Sequence, residues 1–212
     1  MNYTWWYTEN SICLEDSIGI DEVGRGPLAG PVVSAAVWIS KNLAEELEKN
    51  AAALPVRDSK KMTSRQRSNV IQWLDGQPLN LIRYSIGSSS VEEIDDINIL
   101  NAALLSMKRA YEGLQLKKSL LLVDGNMPPP VEGVRIKTIP KGDEKVLAIS
   151  LASIIAKEYR DDHMRNLSKE FPQYSWDTNV GYGSSAHMQA LQKYGITRHH
   201  RKTFSPVRES AF

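Results

Sequence analysis

Four acidic residues stand where a chain commonly leaves regular structure. Asp21 and Glu22 are adjacent, just ahead of Gly24-Arg25-Gly26-Pro27; Asp124 directly follows an apolar run; Asp143 follows Lys141-Gly142. Carboxylate oxygens are hard ligands suited to Mg²⁺ or Mn²⁺. Two such ions about 3.5–4 Å apart can stabilise both the attacking water and the leaving oxygen of a phosphodiester. One carboxylate bridging two ions, with others holding each from outside, is a sufficient design. Each acid also has an ordinary alternative. Asp143 could cap a helix, Asp124-Gly125 could be a turn, and Asp21 and Glu22 could lie on a solvated strand face. Spacing alone does not choose between these readings.

The elements that must position the acids can be read from periodicity and turn residues. Ser17–Val23 reads as a short strand that contains Asp21 and Glu22 and ends in the glycine-rich turn, and 31–39 is a β-rich antiparallel partner. On a regular strand the two neighbouring acids point to opposite sides. Both reach one site only if the strand is distorted or Glu22 contributes from the side. A helix over 41–53 follows, stopped by Pro55, and then Thr63-Ser64-Arg65-Gln66 reads as a capping box opening a helix to about Leu74.

A third strand is expected over 79–87. Ser90-Val91-Glu92-Glu93 is a second capping box, with Ile94, Ile97, Leu100, Leu104, Met107 and Tyr111 as its helical stripe. The run 118–123 suits a buried central strand that delivers Asp124 at its end. A strand within 131–139, one long helix from Asp143 to about Leu167 with a buried first half, and a short helix over 186–194 complete the chain. This pattern predicts an α/β fold, a mixed sheet of about five strands flanked by helices, with helices gathered at the C-terminus. The chain is expected to be one domain over 1–212, residues from about 165 forming a C-terminal helical appendix. Ligands in sheet proteins collect beyond strand ends, which suits acids placed there.

Composition excludes more than it identifies. With 42% hydrophobic and 24% charged residues the chain is ordinary for a globular protein, and its formal net charge of +1 gives no argument for a polyanionic partner. Basic residues do gather late, at Arg198, Arg201, Lys202 and Arg208 with His199 and His200. Cys13 is the single cysteine, so an internal disulfide and a cysteine zinc site are excluded and a reducing compartment, the cytoplasm, is expected. There is no signal-peptide pattern, and no apolar run approaches the roughly 20 residues of a membrane helix.

The residues around the acids resemble the ribonuclease HII family, the type 2 ribonucleases H. The segments that carry the resemblance are Gly19-Ile20-Asp21-Glu22-Val23-Gly24-Arg25-Gly26-Pro27, Asp58-Ser59-Lys60-Lys61-Met62, and Ile94-Asp95-Asp96-Ile97-Asn98-Ile99-Leu100. They continue in order through Val123-Asp124-Gly125-Asn126, Lys141-Gly142-Asp143, Ala152 to Asp161, Gly181-Tyr182-Gly183 with His187, and His200-Arg201 through Phe204. Small departures are Leu151 where many relatives have alanine and Ser184 where threonine is common. The long N-terminal extension of some relatives is not expected, because only 20 residues precede Asp21.

The resemblance implies an RNase H-like fold and a monomer that acts, with Mg²⁺ or Mn²⁺, on RNA–DNA hybrids and ribonucleotide-containing duplex DNA. Cleavage 5′ of the ribonucleotide, leaving 3′-hydroxyl and 5′-phosphate ends, would serve ribonucleotide removal from DNA. Carried over position by position, Asp21, Glu22, Asp124 and Asp143 become the catalytic metal-site carboxylates. Gly24, Arg25 and Gly26 become the loop that reads the 2′-hydroxyl, and Tyr182 packs on the sugar after the cut. Glycines suit such a loop because no Cβ intervenes, and the 2′-hydroxyl is what separates RNA from DNA.

Other readings are weaker. Gly24 to Gly30 is spaced GxGxxxG, and Pro27 with the β-rich run after it opposes a dinucleotide-binding helix. The histidines lack zinc spacing; His187 is expected to be structural or on the substrate side, and His199 exposed. Lys60, Lys61, Arg198, Arg201 and Lys202 are candidate phosphate contacts or plain surface. Asp161 lies about five helical turns beyond Asp143 and is assigned a structural role. The rival functions are another metal nuclease or strand-transfer enzyme of the same fold acting on DNA, and a catalytically silent hybrid-binding protein.

Overall fold

The structure, a computed structural model, describes residues 17–49, 56, 58–116 and 120–210. Five strands form one mixed sheet: β1 (Ser17–Val23), β2 (Val32–Ile39), β3 (Ile82–Ser89), β4 (Leu120–Asp124) and β5 (Arg135–Ile139), in the order β3-β2-β1-β4-β5. β1, β2 and β3 pair antiparallel, whereas β1-β4 and β4-β5 pair parallel. The helices are α1 (Lys41–Lys49), α2 (Ser64–Asp75), α3 (Val91–Gly113), α4 (Leu147–Glu170), α5 (Trp176–Asn179), α6 (Ser185–Tyr194) and α7 (Ser205–Glu209). No helix among the described residues is long and apolar enough to cross a membrane.

Strand periodicity sorts the core into two layers. Val33, Ala35, Val37 and Ile39 of β2, with Leu120 and Leu122 of β4, pack under α4. Ile18 and Ile20 of β1, Ala36, Leu121 and Val123 face the other way, onto Met107 and Ala110 of α3. Gly19 lets α4 approach closely: a Cβ there would collide with the backbone of Ala148 and Ile149. A third apolar group joins Leu28 and Ala29 to Met164, Trp176, Leu191 and Val207, seating the C-terminal helices against the turn after β1.

Both capping boxes form. Thr63 and Gln66 exchange side chain–backbone bonds at the start of α2, and Ser90 and Glu93 do so at α3. The stripe read along α3 is broken by Asn98, whose φ of 68° interrupts the helix. The Asn98 side chain then accepts from the Leu100 and Asn101 amides and restarts it. The restart changes the phase, so Ala102, Ala103, Ser106, Met107 and Ala110 are buried while Leu100, Leu104 and Tyr111 are half-buried. The third strand begins three residues later than its pattern suggests, at Ile82, and α5 and α7 are too short to leave a periodic signal. Residues 50–53 and 118–119, assigned from sequence to the first helix and the central strand, lie outside the described residues.

The helix expected from Asp143 is also divided. A single 3-10 turn, Gly142–Glu144, precedes α4, which starts only at Leu147. Lys141, in the left-handed region with φ 57°, makes the reversal out of β5. Asp161 is structural, as expected: it accepts from Arg67 at 2.8 Å and Lys157 at 2.8 Å, while Arg67 also bonds Glu158 at 2.8 Å. This ion cluster, nearly all of it buried, pins α2 to α4. Arg67→Ala would take the buried cation from both carboxylates, leaving Asp161 to Lys157 and Glu158 to Arg165 at 3.0 Å, and is expected to cost about 3 kcal/mol, the lower end for a broken buried pair. Urea unfolding measures this, and a loss below about 1 kcal/mol would show that the cluster does not hold the helices together.

Candidate active site

The parallel register brings Asp21 and Asp124 together. Gly19 pairs with Leu122 and Ile20 with Val123. One step further along both strands, Asp21 and Asp124 emerge as neighbours on the α4 face. β1 stays regular through Val23, with Glu22 opposite Ser34. Glu22 therefore joins the group from the side, not through a distorted strand. The fourth acid arrives through the 3-10 turn. The Gly142 amide donates to Asp124 Oδ1 at 2.6 Å, which draws the Lys141-Gly142-Asp143 turn against the end of β4.

The electrostatics show how close these groups are to one another. Burial, then Glu22, then Asp124 push the Asp21 carboxyl well above the usual range, and the Ser153 hydroxyl bonded to it opposes them only in part. Burial pushes Glu22 up to about 7; Arg25 opposes this and Asp124 adds to it. Asp143 is raised by burial and by Asp124, with Lys60 opposing. Ser153 is itself bonded to Ser59 at 2.9 Å, so α4 and the Asp58-Ser59-Lys60 turn meet behind Asp21.

Among the described residues no three His, Cys, Asp or Glu side chains are closed round one point. Three of the acids have another partner: Asp21 Oδ1 accepts from the Glu22 amide at 2.7 Å, Asp124 from Gly142, and Glu22 lies 3.4 Å from Arg25. The donor set still fits a hard divalent cation. It is all carboxylate, and it raises its own proton affinity in a way that a cation would relieve.

A second group of residues lies immediately beyond. Gly24 has φ 92°, and a Cβ on it would collide with the Arg160 guanidinium. Arg160 donates to the carbonyls of Ala29 (2.9 Å), Pro31 (2.9 Å) and Val180 (2.8 Å). Arg201 donates to those of Gly24 (2.6 Å), Arg25 (3.0 Å) and Gly30 (3.0 Å). Both arginines are fully buried, and burial disfavours the charge of each. Leu28 and Gly181 share a backbone bond of 2.8 Å, and a Cβ on Gly26 would lie 3.5 Å from the Tyr182 ring. Gly24, Arg25, Gly26 and Tyr182 thus form one surface, on which Arg25 and Tyr182 are exposed.

Arg201 corrects the sequence reading, which left it as a phosphate contact or surface cation. Its donors are consumed by the loop's own carbonyls. His199 is also corrected: it is half-buried, edge-on to Phe171 with ring centres 5.3 Å apart. His187 is fully buried and structural. Arg160 is a functional residue that the motifs do not single out, and its position carries a signal. It continues the stripe Ala152, Ala156, Met164 along α4, where a cation must find buried acceptors.

A mixed sheet with helices on both faces and acids at the ends of its adjacent parallel strands is the architecture of the ribonuclease H-like nucleases. The chain belongs to the ribonuclease HII family, which it matches over residues 18–207. It is 44% identical over 189 residues to ribonuclease HII of Pelagibacter ubique, covering 89% of this chain and 95% of that one. It is 46% identical over 189 residues to ribonuclease HII of Wolbachia pipientis wMel, covering 89% of each. Its fold is similar to the crystal structure of ribonuclease H2 from Pyrococcus horikoshii OT3, with a TM-score of 0.73 and 25% identity over 92% of this chain and 96% of that one. The protein is accordingly a divalent-metal-dependent endoribonuclease that cleaves RNA in RNA–DNA hybrids.

The raised carboxyls set a pH dependence. In metal-free protein, folded Glu22 keeps its proton to about 7 whereas the unfolded chain loses it near 4.5. The native state therefore binds more protons across that window, and stability falls as pH rises through it, by at most about 3 kcal/mol. Asp21 acts in the same direction. With chelator present, Glu22→Gln is expected to raise Tm at pH 8 and to change it little at pH 4, and millimolar Mg²⁺ should raise the wild-type Tm at pH 8. A Glu22→Gln protein that melts lower than wild type at pH 8 would contradict this assignment.

Proposed function

We propose that this chain cuts 5′ of ribonucleotides embedded in duplex DNA as well as within RNA–DNA hybrids, leaving 3′-hydroxyl and 5′-phosphate ends, and so serves ribonucleotide removal from DNA. The observation that carries the reading is the contiguity of the acid cluster with the Gly24-Arg25-Gly26 and Tyr182 surface. Asp21, Glu22, Asp124 and Asp143 would hold two Mg²⁺ or Mn²⁺ ions, which when bound supply an activated water and charge neutralisation at the scissile phosphate.

The remaining work falls to the chain's own groups. Ser153 orients the Asp21 carboxylate, and the Gly142 amide fixes that of Asp124. The loop is held so tightly by Arg160 and Arg201 that its backbone presents a preformed edge to the ribose, where a 2′-hydroxyl can be read. Tyr182, ring outward beside Gly26, packs on the sugar of the following deoxynucleotide. The protein acts as a monomer and as one catalytic domain, in which the helical region from about 165 contributes Tyr182.

The test is a substrate panel in Mg²⁺ and in Mn²⁺: duplex DNA with one ribonucleotide, an RNA–DNA hybrid, and plain DNA. Cutting of the first two and not the third is expected, and comparable cutting of plain DNA would overturn the reading in favour of a DNA nuclease. Asp124→Asn should lower kcat by about a hundredfold or more while the unfolding transition persists; full Mg²⁺-dependent turnover would remove Asp124 from the metal site. Tyr182→Ala should impair cleavage at an isolated ribonucleotide, and a fully active variant there would contradict the junction role.

A further inference from the structure

Two histidines buried behind Tyr182 form a hydrogen-bonded chain whose proton positions the geometry settles. The Thr197 amide points at His200 Nδ1 at 2.9 Å. An amide can only donate, so Nδ1 is bare and the proton of His200 sits on Nε2. That N–H faces His187 Nε2 at 3.0 Å. His187 Nε2 also receives the indole N–H of Trp176 at 3.3 Å, and an indole likewise can only donate. His187 is thus bare at Nε2 and protonated at Nδ1, from which it donates to the Tyr182 carbonyl at 2.9 Å.

The direction of every bond is fixed from outside the pair, by Thr197 at one end and Trp176 at the middle. The three rings are shut off from solvent: His187, His200 and Trp176 are all fully buried, with Tyr174 stacked on Trp176 at 5.0 Å. A second donor, the Ser184 amide at 2.8 Å, completes the Tyr182 carbonyl. The residue after His200 is Arg201, which grips the carbonyls of Gly24, Arg25 and Gly30.

We propose that His187 and His200 are positioning residues for ribonucleotide recognition: the directed imidazole pair holds the backbone of Tyr182, while the adjoining Arg201 holds the glycine loop, so that consecutive residues of one segment set the distance between the two surfaces that read the junction. The proposal rests on the assignment of Tyr182 and Gly24-Arg25-Gly26 to substrate. Neither histidine touches substrate. The pair acts through Tyr182, and what it contributes is selectivity for an isolated ribonucleotide over a long hybrid.

The test has two arms. In the first, nitrogen-detected NMR of the wild-type imidazoles is expected to show His187 as the Nδ1–H tautomer and His200 as the Nε2–H tautomer at neutral pH; the reverse tautomer, or an imidazolium, on either ring overturns the proposal. In the second, the ratio of single-ribonucleotide to long-hybrid cleavage is measured for variants whose melting transition is retained. His187→Leu removes the donor to Tyr182 and should lower the ratio about tenfold or more. His187→Asn, whose amide can replace the Nδ1 donor, should bring it back to within about threefold of wild type.

Combining His187→Leu with Tyr182→Ala should lower the ratio no further than Tyr182→Ala alone. Equal losses on both substrates, an unchanged ratio in His187→Leu, or additive losses in the double variant each overturn the positioning role. If Tyr182→Ala itself leaves the ratio intact, the substrate assignment of Tyr182 fails and the proposal with it, a result distinct from intact Tyr182 dependence with no His187 dependence. Should His187→Leu not fold, the wild-type tautomers and His187→Asn still decide.

Discussion

The parallel pairing of β1 with β4 is the constraint from which the site follows. Asp21 and Asp124 are about a hundred residues apart in sequence, yet each lies one position beyond the paired Ile20 and Val123. A side-chain period of two then puts both on the face that carries α4. Slipping the register by one residue would turn Asp124 toward α3 and send Val123, now in the core, toward α4. The apolar run Leu120–Val123 is buried on both faces, so such a slip is strongly resisted. What secures the core also fixes the distance between two acids.

The glycine loop has a different problem. A segment with few side chains, pressed between α4 and the residues around His200, buries carbonyls that no sheet or helix satisfies. Two guanidiniums supply the missing donors. Arginine suits the task because its planar fork offers several N–H groups in fixed directions, and a carbonyl-lined setting replaces some of the hydration it gives up. Neither Arg160 nor Arg201 meets a carboxylate among the contacts described above. Six carbonyls, three for each, take that place, so these two guanidiniums act on the loop by charge–dipole attraction.

Much of this architecture was legible from residue patterns. The first strand, both capping boxes and the central apolar strand leave local signals, and local physics kept them in place. The sequence also places Asp21 and Glu22 within the first strand and Asp124 at the end of the central one. What the sequence could not convey was long-range pairing of polar groups. Arg201 sits in a run of basic and polar residues that looks like surface, and only the arrival of the loop from far upstream makes it a buried donor. The same holds for Arg67, whose partners Glu158 and Asp161 lie more than 90 residues away. The break at Asn98 was hidden for another reason: hydrophobic spacing continues across it, while the side chain that caps the restart is a common surface residue.

The helix α4 gathers these threads on one rod. Its early part supplies Ser153 to Asp21, its middle supplies Glu158 and Asp161 to Arg67, and between them Arg160 points at the loop. An α-helix turns about 100° per residue. Inserting or deleting a single residue between Ser153 and Arg160 would therefore rotate one group of contacts out of reach while leaving the other in place, and no side-chain adjustment spans that angle. The length of this segment is consequently a fixed gauge for the enzyme. Engineered or natural variation in chain length has room at the exposed residues Asn126 to Pro128, but not along this rod.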